Sequence, residues 1–148
     1  IDIDTELYSF GLKRLVQELH LRDAVTFAGR LSDEEVRSLY EASSVYLCMS
    51  EHEGFCLPVI EAMHFGLPVI AYGSTAIPDT LGRGGVLVKE KKHPEIAELI
   101  YLMHDSPARE ELITAGHERV SELSFENFEK VVKGIFFGDS GLGSRGSA

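Results

Sequence analysis

Two acidic residues, Glu53 and Glu61, stand eight positions apart in the stretch Ser50-Glu51-His52-Glu53-Gly54-Phe55-Cys56-Leu57-Pro58-Val59-Ile60-Glu61-Ala62-Met63. An ionised carboxylate only accepts hydrogen bonds. Spacing alone proves little, because such pairs arise by chance in an acidic chain and a solvated loop acid plus a helix-surface acid would explain it. Position adds weight. Val45-Tyr46-Leu47-Cys48-Met49 reads as a buried strand just upstream; downstream, Gly66-Leu67-Pro68 ends a short helix and Val69-Ile70-Ala71-Tyr72 reads as the next strand. Both acids therefore belong to the loop and helix after the carboxyl end of a strand, where open α/β sheets bind ligands. Cys48, His52, Cys56 and His64 could in principle ligate a metal, but their spacing fits no zinc pattern, and no metal is expected.

The elements around this unit alternate. Thr5 to Leu21 carries Leu7, Phe10, Leu12, Leu15, Val16 and Leu19 near helical spacing, and Ala24 to Ala28 reads as a strand closed by Gly29. Ser32 and Glu35 form a capping-box pattern that opens a helix to about Ala42. After the central unit, Gly73-Ser74-Thr75 is a small-residue turn, Ile77 to Leu81 one short helical turn, and Gly84 to Val88 a strand. Helices are expected over Pro94 to His104, from Pro107 to about Leu123, and from Ser124 to about Phe136. The expected fold class is α/β, a parallel Rossmann-like sheet with helices on both faces and a helical C-terminal segment. Residues 1–137 form one domain in this reading, and the Gly/Ser-rich tail 138–148 is a flexible linker or an appended segment.

Composition narrows the partners. The chain has 148 residues, with 24 acidic against 14 basic side chains and a net charge of −10. That balance disfavours nonspecific contact with nucleic acid or anionic membrane, both of which rely on Lys and Arg. No apolar run nears the roughly 20 residues of a bilayer span, and the start of the chain lacks the pattern of a secretory signal. A cytoplasmic setting is expected. Cys48 and Cys56 make no disulfide framework, and Cys48 reads as a small buried hydrophobe.

Taken together, Glu53-Gly54-Phe55, Leu57-Pro58, Glu61-Ala62-Met63, Gly66 and Pro68-Val69-Ile70 resemble, without a gap, the signature of retaining glycosyltransferases of family 4, the group 1 glycosyl transferases. Val25 to Gly29, Ser32 to Glu35 with Leu39 to Ala42, Ala76 to Gly82, and Ser124-Phe125 extend the resemblance over nearly all of 23–137. Position 79 is Asp where the family more often has Glu, and position 56 is Cys where Gly is usual. The resemblance implies the C-terminal, donor-binding half of a GT-B enzyme that holds a nucleotide-diphosphate sugar and uses no metal. It implies that Glu61 accepts hydrogen bonds from ribose hydroxyls and that Glu53 faces the transferred sugar, near developing oxocarbenium charge. Gly54 lets the backbone approach the ligand, and the N–H groups of Phe55, Cys56 and Leu57 can face sugar or phosphate oxygens. Gly29 and Arg30 would line the base pocket, although a surface ion pair explains Arg30 equally well. Ser74 and Thr75 could bond the donor or cap the next turn. The donor would be a UDP- or GDP-sugar.

Family members usually open this domain with a strand ending in Gly-Arg and a Lys-Gly shortly after, two cations that clamp the diphosphate. Lys13-Arg14 lies inside the first expected helix at the wrong spacing. The chain is therefore expected to begin late, without the first two strands and the N-terminal acceptor domain. The strand at 24–28 should then pair differently or with a second copy through exposed sheet edges. Such a chain alone would be nearly inactive. Three alternatives are a non-catalytic nucleotide-sugar binding module, a dinucleotide-binding Rossmann domain and a GT-B sugar epimerase, the last not expected to carry the Glu-loop-Glu signature. The second needs a Gly-rich turn after its first strand, whereas Gly82 to Gly85 precedes a strand.

Overall fold

The computed structural model describes residues 3–137, so the tail expected at 138–148 lies outside the described residues. The chain divides into two compact units, residues up to Val36 and residues from Arg37 onward.

In the first unit, α1 (Ile3–Glu18) forms where helical spacing predicts it. It ends with Leu21 N–H bonded to the Val16 carbonyl while His20 adopts a left-handed φ of 56°. The apolar stripe of α1 is not buried: Leu7, Phe10, Leu15 and Leu19 are all about half exposed or more. The strand expected over 24–28 does not form. Ala24 and Val25 donate back to the Leu21 carbonyl in a turn, among the described residues 24–28 join no ladder, and Val25 and Phe27 stay exposed. A strand is defined by its partner, and β-rich composition cannot supply one. The capping box does form. The Ser32 N–H and hydroxyl both donate to Glu35 Oε2, at 2.8 and 2.9 Å, and the Glu35 N–H returns to Ser32 Oγ at 3.3 Å. These bonds hold the Glu35 carboxyl below its usual range. They open α2 (Asp33–Ala42), within which the boundary between the units falls.

The second unit is built on three parallel strands in the order β1 (Tyr46–Cys48), β2 (Val69–Tyr72), β3 (Gly85–Val88). Tyr46 is opposite Val69, and Val69 is opposite Gly85. Between β1 and β2 runs α3 (Leu57–His64), and between β2 and β3 the short α4 (Ile77–Leu81). Three further helices follow, α5 (His93–Asp105), α6 (Ala108–Glu122) and α7 (Phe125–Phe137). The helix ends obey the expected chemistry. Gly66 at φ 70° closes α3, with its N–H on the Met63 carbonyl and the Leu67 N–H on the Ala62 carbonyl. Ser124 opens α7, its Oγ accepting from the Asn127 N–H.

The core of this unit joins β2 to α3 and α4. Val59, Ala62, Met63, Val69, Ile70, Ala71, Ile77 and Leu81 are fully buried. Met63 is the tightest point, because a Cβ added at Gly84 would meet its sulfur at 2.3 Å, and Gly116 of α6 also lies against it. Only glycine admits α3, α6 and β3 this close. No helix among the described residues is long and apolar enough to cross a membrane.

Candidate functional site

Parallel strands send all their carboxyl ends to one edge, and three chain segments meet there: 49–56 after β1, 73–76 after β2, and 89–91 after β3. Side-chain hydroxyls of the second segment and of α4 hold the first. Ser74 Oγ donates to the Ser50 carbonyl at 2.7 Å. Thr75 Oγ1 accepts from the Glu53 N–H and donates to the Glu53 carbonyl, both at 2.9 Å. Thr80, 2% exposed, donates from Oγ1 to the Phe55 carbonyl at 2.7 Å. From the third segment Lys91 pairs with Glu51 at 2.7 Å, which lowers the Glu51 pKa, and lies over the Tyr72 ring at 4.8 Å.

These clamps act on the backbone and on Glu51 and leave the Glu53 carboxylate outside them. Glu53 is half-buried and Glu61 is exposed on α3, so neither acid is sealed beneath neighbours. Glu61 is nevertheless oriented, because the Tyr40 hydroxyl donates to its Oε2 at 3.0 Å. The Tyr40 ring stacks on Phe65 at 5.3 Å. Burial, and then the bond to Glu61, push the Tyr40 pKa up. Tyr46 is pushed up to about 12, chiefly by burial, with smaller contributions from Cys48, Cys56, Glu53 and Glu61. Tyr46 and Cys48, two apart on β1, share a sheet face, and the Cys48 sulfur lies within 4.8 Å of a Glu53 carboxylate oxygen.

Cys56 is the N-cap of α3 at φ 56° and ψ 64°, with no side-chain cap bond. This left-handed conformation is the physical reason glycine is usual there, and a Cβ in it is strained. The side chain is buried, with Sγ 3.9 Å from Cys48 Sγ. Burial and the neighbouring Cys48 raise its thiol to about 11. Glu53 completes a trio with the two sulfurs, the three ligand atoms lying within 4.8 Å of one another. Of the four residues whose spacing fitted no zinc pattern, the fold thus gathers the two cysteines with an acid; His52 and His64 are not in the group.

The remaining candidates separate. Among the described residues none accepts from the N–H of Phe55, Cys56 or Leu57, at and just before the start of α3. Gly54 has nothing within 4 Å of a built Cβ. Phe55 is 48% exposed and, with Leu123, Phe125, Phe128 and Val131, lines an open apolar pocket of about 510 Å³; it does not pack in the core. Ser74 and Thr75 hold the loop, so their hydroxyls have partners within the chain. Gly29, at φ 68°, and Arg30 are exposed in the first unit. Sequence reading missed Tyr40 and Thr80 as site residues. A tyrosine on an amphipathic helix and a threonine in a short turn carry no spacing signal; only the long-range contacts reveal them.

Residues 5–119 match the family described as "Glycosyl transferases group 1". The O-antigen chain mannosyltransferase B of Escherichia coli is 30% identical over 104 residues, which are 70% of this chain and 27% of that protein. The C-terminal domain of a group 1 glycosyl transferase, LpcC of Francisella tularensis, has a TM-score of 0.66 at 31% identity, covering 81% of this chain and 62% of that one. Anabaena HepE, solved in complex with UDP and glucose, has a TM-score of 0.72 over 89% of this chain and 38% of its own; at 20% identity the likeness is one of fold. The chain spans about a quarter of the length of the first curated relatives it matches.

Proposed function

The chain belongs to the group 1 glycosyl transferases, and from that membership we propose that it forms the donor-binding part of an enzyme that transfers a sugar from a UDP- or GDP-sugar with retention of configuration and without a metal. In this reading Glu61, oriented by Tyr40, accepts from the two ribose hydroxyls. The free N–H groups at the start of α3 face sugar or phosphate oxygens, where the positive end of the helix dipole favours them. Glu53 faces the sugar, where its charge stabilises the oxocarbenium character that develops as the bond to the diphosphate breaks. The observation that carries the reading is the clamped loop. Ser74, Thr75 and Thr80 fix the backbone around Glu53, and its carboxylate is left outside those clamps.

Calorimetry with UDP, GDP and their sugars tests it. A hydrogen bond to a charged acceptor contributes about 1.5–3 kcal/mol, so Glu61→Ala should weaken nucleotide binding roughly 10- to 100-fold. Equal affinity for the variant and the native chain would overturn the assignment. The 148-residue chain alone should transfer no sugar at an enzymatic rate, because none of its Gly-Arg pairs is followed a few residues on by a Lys-Gly to clamp the leaving diphosphate. Loss of one such preorganised group costs about a hundredfold or more.

A further inference from the structure

We propose that Arg119 of α6 is a positioning residue for the donor site, acting through Thr80 on the loop that carries Glu53. The inference rests on the donor-binding reading above and extends it to a side chain outside the loop. α4 is only five residues long, and the last carbonyls of any helix have no donor within it. Arg119 supplies those donors. Its Nε–H bonds the Thr80 carbonyl at 3.2 Å, Nη2 bonds the Asp79 carbonyl, and Nη1 pairs with Glu122 on its own helix at 2.6 Å. Each guanidinium nitrogen is thus engaged, and Glu122 fixes the plane of the group. Room for this fork comes from Gly82, at φ 54°, because a Cβ there would stand 2.9 Å from the Arg119 Nε.

The next link is a single residue. Thr80 accepts from Arg119 through its carbonyl and donates from Oγ1 to the Phe55 carbonyl at 2.7 Å. It is buried, so water does not take over the hydroxyl bond. Phe55 directly precedes Cys56, the N-cap of α3, and Glu53 stands two positions upstream. A shift of α4 therefore displaces the N–H groups assigned to sugar or phosphate oxygens and loosens the loop at Glu53. Lysine at position 119 would keep the charge, but a single ammonium cannot present a planar fork to two carbonyls and a carboxylate.

Arg119→Lys tests the relay, with Arg109→Lys as the control. Arg109 also donates to two backbone carbonyls, those of Ser44 and Met103, but neither belongs to the loop or to α4. Both variants should lower Tm. Only Arg119→Lys should quicken exchange of the Glu53 amide and weaken UDP or GDP binding about fivefold or more in calorimetry. In a Thr80→Val background, where the path is already cut, the same change should weaken binding less than about twofold. An additive loss in that background, native exchange at Glu53 in Arg119→Lys, or an equal loss of affinity in Arg109→Lys would overturn the relay. Exchange is read without ligand. A native chain that bound neither nucleotide would therefore sink the donor-binding reading, while the Glu53 amide would still decide the relay.

Discussion

Thr80→Val removes one hydroxyl and keeps the side-chain shape, so it isolates the bond that ties the Glu53 loop to α4. Thr80 is 2% exposed and its hydroxyl donates to the Phe55 carbonyl at 2.7 Å. Valine fills the same volume, so no cavity term arises, and the loss is that of one neutral hydrogen bond to a half-exposed segment. We expect about 1–2 kcal/mol of destabilisation, a fall in Tm of roughly 3–8 °C for a chain of this size. Thr80→Ser is the control. It keeps the hydroxyl and deletes a buried methyl, at a cost of about 1 kcal/mol. Thermal unfolding by circular dichroism alone would not separate the two. Amide hydrogen exchange does, because only the valine variant frees the Phe55 carbonyl and loosens the loop, which should speed exchange of the Glu53 amide, whose N–H is held by Thr75 Oγ1. A valine variant with native Tm and native exchange in that loop would refute the claim that Thr80 fixes the site.

Gly84→Ala places a Cβ 2.3 Å from the Met63 sulfur in a fully buried setting; overpacking should lower stability by about 1–3 kcal/mol, read by urea unfolding. Tyr40→Phe keeps the ring on Phe65 but frees Glu61 Oε2, so nucleotide affinity should fall about fivefold in calorimetry with Tm little changed. The raised folded pKa values of Cys56, about 11, and Tyr46, about 12, mark acids that prefer to stay neutral in the folded state. Stability should therefore be fully present below the unfolded thiol value of about 8.5 and decline as pH rises toward 11 and 12. Cys56→Ala should flatten the first part of that decline in pH-dependent unfolding curves.

The central unit was legible because its signals are local. A strand-length apolar run, a glycine that must take a left-handed φ at Gly66, and the Val69 to Tyr72 run fix β1, α3 and β2 within a residue or two. The capping box at Ser32 and Glu35 is likewise a relation across three residues, and its bonds form as the pattern requires. The segment 24–28 failed for the opposite reason: its composition suits a strand, but pairing is a property of a partner elsewhere in the chain. The helical spacing of α1 predicted the helix, and most of its apolar residues stay exposed: periodicity states which side is apolar and not whether anything covers it. At the site, the two acids could be picked out by their motif. The residues that position them could not, because Tyr40 reaches Glu61 across 21 positions and Thr80 reaches Phe55 across 25. The departure at position 56 was visible as a letter. That its sulfur meets Cys48 requires the turn itself.

The same geometry determines how salt should act on the site. The groups that hold the loop are neutral hydroxyls, and Lys91 at the sheet edge is already engaged by Glu51 and Tyr72. The proposed grips on the nucleotide are carboxylates and backbone N–H groups, in a chain of net charge −10. A diphosphate approaching this surface meets long-range repulsion and short-range hydrogen bonds. Salt screens the first and barely alters the second, since the Debye length shrinks from about 10 Å at 0.1 M to about 3 Å at 1 M. Affinity for UDP or GDP should therefore hold or rise as salt increases, the reverse of a site built on Lys and Arg contacts. A steep fall in affinity with salt would mean that Lys or Arg side chains grip the diphosphate, and that the carboxylate-and-helix account of binding is wrong.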